Sequence, residues 1–273
     1  MPIHVKFWGV RGSIACSGPE TIRYGGNTPC VEVRCGDRTI LFDGGTGLRP
    51  FGNSVIAAGK KLDADLFLSH CHIDHIFGLP FFTPLFLTGH KLRIRAGNLS
   101  PKFNLKQTFR TMMSPPLFPV EVESFKAAIE YSDFEPGKTF RLDGGIVVRT
   151  ALLNHPGGSI GYRLEYDGKS VAYVTDTETP GPQDTNLKSL TQGADLVIFD
   201  ATYTEAEKAR RNGWGHSTWS DGVRLANEVG AKTLCLFHHD PDHDDAFLDD
   251  LSAKAAAARP GTITARDGLA LTL

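Results

Sequence analysis

The chain has no long apolar run. Its longest, residues 76–87, is broken by Gly78, Pro80, Thr83 and Pro84 and is too short for a bilayer span, which takes about 20 residues. The start, Met1–Ser13, lacks the apolar stretch of a signal peptide and reads as a strand running into a Gly-rich turn. Cysteine is scarce. The five residues Cys16, Cys30, Cys35, Cys71 and Cys235 form an odd count with no C-x-x-C pair, which argues against a disulfide framework and a cysteine-built zinc knuckle. A cytoplasmic location follows as the expectation. Neither sign of charge dominates: Lys plus Arg number 29, Asp plus Glu 31, and the net charge is -2. The molecule as a whole therefore exerts no long-range pull on nucleic acid or anionic membrane, although a local basic patch stays open. No repeat, low-complexity tract or linker divides the chain, so one domain over 1–273 is expected.

What is present is a succession of short β-like runs. His4–Val10, Pro29–Cys35, Thr39–Asp43 and Ala64–Ser69 each end in turn residues, and Leu92–Ala96 adds another. A helix is expected to start after Ser100, with serine as cap and Pro101 in its first position, and to end by Met113, where Ser114-Pro115-Pro116 stops it. The second half offers Lys126–Tyr131, Thr139–Leu142, Ile146–Leu153, Ile160–Tyr166, Ser170–Thr175 and Leu196–Phe199 as strands, and Asp167-Gly168 is a tight hairpin signal. Trp219, Val223, Ala226 and Val229 fall on one helical face of Thr218–Val229. Leu234–Phe237 reads as a buried strand, Ala246–Ala257 as a helix and Leu269–Leu273 as a last strand. Two sheets packed face to face, with helices outside, fit this order.

The decisive segment is Ser69-His70-Cys71-His72-Ile73-Asp74-His75-Ile76, which follows the apolar run Leu66–Leu68. Alternate residues of an extended loop point the same way. His70 and His72 can thus converge on one ion, while Asp74 and His75, where the chain turns into a helix, face a second and Cys71 points away. Imidazole and carboxylate are donors that suit zinc. One loop cannot close two coordination shells, so later ligands are required. His155, Asp176 and His238 each come directly after a strand-like run, and His239 competes with His238 for the last place. The run Asp240–Asp245 reads as a solvated acidic loop leading into a helix, with a further metal site as the alternative. Gly25-Gly26-Asn27 and Gly157-Gly158-Ser159 read as turns, the alternative being backbone amides offered to phosphate oxygens.

In their order these motifs resemble the metallo-β-lactamase superfamily across nearly the whole chain: Leu41-Phe42-Asp43-Gly44-Gly45-Thr46-Gly47, His70–His75, Asn154-His155-Pro156, Val174-Thr175-Asp176 and Leu236-Phe237-His238. The resemblance implies an α/β (α+β) fold, a four-layer αββα sandwich with its site at one edge of the sheets. It implies two divalent ions, with His70, His72 and His155 on one, Asp74, His75 and His238 on the other, and Asp176 bridging them. Asp43 would orient a ligand from behind, and Asp74 would serve in catalysis as well as ligation. His72 stands where iron-containing flavodiiron relatives carry a carboxylate, which favours zinc, with manganese or iron as alternatives.

Two ions around a shared carboxylate lower the pKa of a held water to about 7, which serves phosphodiester, ester and amide hydrolysis alike. Gly213–Thr218, with Asp200-Ala201-Thr202-Tyr203 upstream, resembles the phosphodiesterase branch that contains ribonuclease Z. That likeness makes His216 the general-acid candidate and Asp200 its orienter, although glutamate is usual at the Asp200 position. Many ribonuclease Z members insert a tRNA-gripping arm between the third motif and the bridging aspartate, and here only a hairpin fills that gap. Gly9–Ser13 and Tyr24–Thr28 resemble hydrolases grouped near the phosphoribosyl cyclic phosphate phosphodiesterase, yet the cysteine cluster for that enzyme's structural zinc is missing. The leading expectation is a phosphodiesterase acting on a small phosphodiester, with a cyclic nucleotide or cyclic sugar phosphate among the candidates. Its rivals are a carboxyl-ester, lactone or thioester hydrolase, a tRNA 3′-processing endoribonuclease and a non-catalytic metal-binding module. The expected partner is a small-molecule substrate, with no membrane, little affinity for nucleic acid, and a homodimer left open.

Overall fold

The computed structural model describes residues 1–273. In its first half, β1 (Ile3–Gly9), β2 (Cys30–Cys35), β3 (Arg38–Phe42), β4 (Asp63–Leu68), β5 (Lys91–Ala96) and β6 (Ala128–Asp133) are interspersed with α1 (Leu48–Ala57), the one-turn α2 (Ile73–Ile76) and α3 (Leu105–Met112). The second half holds β7 (Thr139–Leu142), β8 (Ile146–Leu153), β9 (Ser159–Tyr166), β10 (Lys169–Val174), β11 (Leu196–Asp200), β12 (Thr233–Phe237), β13 (Ile263–Thr264) and β14 (Ala270–Thr272). Its helices are α4 (Asp184–Thr191), α5 (Glu205–Arg210), α6 (Trp219–Glu228) and α7 (Asp245–Ala258).

Side-chain alternation builds the layers. In β1 the residues Ile3, Val5 and Phe7 are buried while His4 is exposed, so one face looks inward. The strands assemble into two seven-stranded sheets, ordered β14-β1-β2-β3-β4-β5-β6 and β13-β12-β11-β10-β9-β8-β7. Between them lies an apolar cluster in which Phe7, Phe42 and Phe67 meet Tyr162, Tyr173 and Phe237. Phe42 stacks on Tyr173 with ring centroids 5.1 Å apart. The alternate residues Leu41, Leu66 and Leu68 face outward and pack with Phe51 of α1 and Phe109 of α3. On the far side Val174, Val197 and Leu236 pack with Leu187, Leu225 and Leu251 from α4, α6 and α7. Three apolar layers separated by two sheets make the expected αββα sandwich. Each fully buried Leu or Phe contributes roughly 1.5–3 kcal/mol to it.

Strand direction then places the site. β3 and β4 are parallel, as are β10, β11 and β12. β8 runs with β10 because both are antiparallel to β9. The sheets meet at the ends of these strands, where Tyr162 donates to Leu68 O at 2.6 Å and Ile160 N to Ser69 O. The loops leaving that edge carry Asp43, His70, His155, Asp176 and His238, and Asp200 closes β11.

Several boundaries differ from the pattern for local reasons. Ser100-Pro101 does not open α3. The Asn104 side chain accepts the Gln107 amide at 2.9 Å and Asp133 takes the Leu105 amide, so the first turn forms there. β6 begins at Ala128 because the Lys126 and Ala127 amides both go to Leu85 O. α1, α4 and α5 fall outside the expected elements; α1 and α4 lack any side-chain cap, and α5 is a six-residue helix held by a Thr204–Glu207 capping box. Asp167 and Gly168 both take positive φ, as the tight hairpin requires. No helix is long and apolar enough to cross a membrane.

Candidate metal centre

Three residues at the strand ends take left-handed backbone: Asp43 (φ 61°), Asp176 (φ 52°) and His238 (φ 61°). For non-glycine residues this costs roughly 1–2 kcal/mol each, and such strain collects at functional sites. Two groups of donors converge around them. Ligand atoms of His70, His72 and His155 lie within 4.8 Å of one another, and so do those of Asp74, His75, Asp176 and His238. Asp176 joins the groups. Its Oδ2 is 3.4 Å from His75 Nε2, 3.7 Å from His70 Nε2 and 3.8 Å from His155 Nε2, and its Oδ1 is 3.2 Å from His238 Nε2. Asp74 Oδ2 sits 3.2 Å from His75 Nε2 and 3.3 Å from His238 Nε2. His239 is turned away: its Nε2–H donates to Ala265 O at 2.8 Å, and burial pushes its pKa down to about 3.

Partners behind the rings fix their tautomers. His75 Nδ1–H donates to Asp43 Oδ2 at 2.7 Å, and Asp43 also accepts Ser69 N, Ser69 Oγ and Tyr173 Oη at 2.7, 2.8 and 2.7 Å. His155 Nδ1–H donates to Gly215 O at 2.9 Å. His238 Nδ1–H donates to Thr202 Oγ1 at 2.9 Å, and that hydroxyl gives its proton to Asp200 Oδ1 at 2.6 Å. Each ring is left with Nε2 as the nitrogen that faces the cluster.

The arrangement fits a cation. His70 Nε2 and His75 Nε2 are buried without a hydrogen-bond partner, and His155 Nε2 faces His72 Nδ1 at 3.1 Å. Buried acceptors aimed at one another and at carboxylates are costly unless something positive lies between them. Imidazoles with carboxylates suit divalent transition metals. Burial lowers the pKa of His70, His72 and His155, which keeps their lone pairs free of protons. In His75 burial acts the same way, but Asp74, Asp176 and Asp43 outweigh it and raise the pKa.

His216 borders the second group. Its donor atom lies within 4.8 Å of those of Asp176, Asp200 and His238, and its ring stacks on His238 at 5.1 Å. Its Nδ1–H donates to Asp200 Oδ2 at 2.9 Å. Burial alone would lower its pKa, but the Asp200 carboxylate outweighs burial and lifts it to about 9. With Nδ1 committed to Asp200, Nε2 is the ring atom free to carry a proton to a substrate oxygen. The short aspartate spans the distance because the Thr177 and Thr202 amides hold it at 3.0 and 3.1 Å.

Sequence reasoning missed the supports. Glu178, mostly buried, accepts Gly213 N at 3.0 and 2.9 Å through its two oxygens and Gly215 N at 2.9 Å, so it fixes the carbonyl that holds His155. No motif announces it. Ser13 N donates to Asp74 Oδ2 at 2.8 Å, and a Cβ on Gly12 would lie 2.4 Å from the His238 ring. The Gly9–Ser13 segment thus covers the second donor group, a role its glycine could have signalled. Asp240–Asp245 is not the solvated loop expected. Asp240, His243 and Asp245 are buried, Arg211 pairs with Asp240 at 2.9 Å, and the Arg23 and Tyr24 amides bind Asp245. The helix entered after His216 is capped by Thr218, whose side chain accepts the Asp221 amide. Gly25-Gly26-Asn27 is a packed turn, since a Cβ on Gly26 would lie 1.7 Å from Cys16 O.

The profile of a beta-lactamase superfamily domain matches residues 38–239. The chain belongs to the metallo-β-lactamase superfamily. Among curated relatives, the ribonuclease Z of Haloarcula marismortui is 25% identical over 322 aligned positions, covering 98% of this chain and 96% of that one. The fold is shared with zinc-bound PqqB from Methylobacterium extorquens, at TM-score 0.74 and 17% identity over 99% of this chain and 100% of that one. It is shared equally with a diphosphatase of the PhnP family, at TM-score 0.72 and 19% identity over 100% and 98%. As a metallo-β-lactamase superfamily member with ribonuclease Z relatives, the protein is a metal-dependent hydrolase.

Proposed function

We propose that this hydrolase cleaves small phosphodiesters with two divalent cations, zinc by the nature of its donors. The observation that carries the reading is His216, whose Nδ1 is held by Asp200 Oδ2 at 2.9 Å, at the margin of a double donor cluster. His70, His72 and His155 would hold one ion and Asp74, His75 and His238 the other, with Asp176 between them. Bound there, the ions supply Lewis acidity and a nucleophilic water at neutral pH. Asp43, the Gly215 carbonyl and Thr202 keep the ligand rings in register. Asp74, whose Oδ2 accepts the Ser13 amide, would accept a hydrogen bond from the attacking water. His216 gives its Nε2 proton to the departing alkoxide, and Asp200 both aims the ring and keeps it charged.

A small substrate is favoured because the short β9–β10 hairpin occupies the stretch between His155 and Asp176, which leaves no arm for a large RNA. The full-length ribonuclease Z relatives favour a second reading, a tRNA 3′-processing endoribonuclease. The test is a panel on metal-loaded protein: cyclic nucleotides, a cyclic sugar phosphate, a precursor tRNA and a lactone, with metal content measured in parallel. Turnover confined to the small diesters is the expected result. Cleavage of the tRNA alone would select the second reading, and strong lactone turnover with silent diesters would overturn both.

A further inference from the structure

On the phosphodiesterase reading, the proton donor marks the side from which the alcohol departs. Side chains beside His216 therefore meet the group attached to that oxygen. The segment just before His216 is built to hold one side chain out. Gly213 and Gly215 take φ of 85° and 90°, a conformation that other residues rarely adopt. Glu178 accepts the amides of both, and a Cβ on Gly215 would lie 2.2 Å from His155 Nδ1. The loop is thus locked against the donor cluster. Between the two clamped glycines, Trp214 is 61% exposed. A large apolar ring carried into water on a fixed backbone is preorganised for contact, because little is lost in ordering it. Its neighbours lead to the proton donor. The Arg211 guanidinium is 5.9 Å from the indole and 5.0 Å from the Tyr203 ring, which is itself 5.5 Å from the His216 ring.

We propose that Trp214 is a specificity-determining residue: its indole face receives a planar aromatic group, such as a nucleobase or aryl ring, borne by the leaving alcohol. The reaction stays a plain hydrolysis. The P–O bond to the alcohol breaks, a P–O bond to the water oxygen forms, the His216 proton ends on the alcohol, and the proton that the water loses returns to His216 through solvent.

The test uses metal-loaded protein and two methylphosphonate monoesters, diester surrogates with one cleavable bond, whose leaving groups are benzyl alcohol and cyclohexylmethanol. They match in size and differ in planarity. The wild type should prefer the benzyl ester by about tenfold in kcat/KM, as one stacked ring provides. Trp214→Ala should bring the ratio close to one, mainly through KM, and Trp214→Phe should retain part of it. An equal rate for both esters in the wild type, or a ratio that Trp214→Ala leaves intact, overturns the inference alone. Failure of the wild type to cleave either ester removes the phosphodiesterase reading and this inference with it.

Discussion

His216 and Glu178 act at different distances from the reacting atoms, and their variants should fail differently. On the proposed reading His216 gives a proton to the substrate and is not needed to hold either ion. His216→Ala should keep its metal content by elemental analysis and lose about 10²–10⁴ in kcat on esters with alkyl leaving groups. An ester that releases 4-nitrophenolate, which departs without a proton, should be far less affected. An equal loss on both would move His216 out of the proton-donor role. Glu178 acts through the Gly215 carbonyl on His155. Glu178→Gln should weaken metal binding by about tenfold, read by chelator competition, since partners behind a ligand typically contribute that much. Unchanged metal affinity would leave Glu178 a loop staple only.

At the scale of elements, the caps and strand ends decide where helices start and ligands fall. α3 depends on the Asn104 side chain bound to the Gln107 amide. Asn104→Ala should destabilise the protein by about 1 kcal/mol in urea unfolding, whereas Ser100→Ala, four residues upstream, should leave the midpoint unmoved. The reverse ranking would mean that the Ser-Pro signal is the working cap. The strand ends show a different economy. Just past the ends of β10 and β12, Asp176 and His238 take left-handed backbone, so the strain falls on the candidate ligands themselves. Buried supports hold them there: Thr175 Oγ1 donates to Asp176 Oδ1 at 2.8 Å, and Thr202 Oγ1 accepts from the His238 ring at 2.9 Å.

Across the whole molecule, the chain ends close the first sheet. β14 pairs with β1, and the turn before it brings Asp267 against Asn27, whose amide and Nδ2 donate to its carboxylate at 3.1 and 2.9 Å. Burial raises the Asp267 pKa from 3.8 to about 6. The folded state therefore binds this proton more tightly than the unfolded chain does. The stability it contributes is complete below the unfolded pKa and is lost as pH rises through the folded one. Asp267→Asn removes that dependence, so between about pH 4 and pH 7 the stability difference should move in the variant's favour by about 2 kcal/mol. Urea titrations at several pH values check this, and parallel curves for the two proteins would refute it.

The sequence by itself determined the candidate donors, their order and the layered architecture. His70, His72, Asp74 and His75 lie in one short loop, and a two-residue period writes inside and outside directly into each strand. His155, Asp176 and His238 were legible as candidates because each follows a short run that reads as a strand. Only the tertiary structure decided between His238 and His239, because their difference is one left-handed residue at the end of β12 and the acceptor each ring meets across the fold. It alone supplied Tyr173 behind Asp43, 130 positions away, and Glu178 behind Gly215, 37 positions away. Those contacts form only when separate strand ends meet at the edge of the sandwich, and no local pattern of residues records such a meeting.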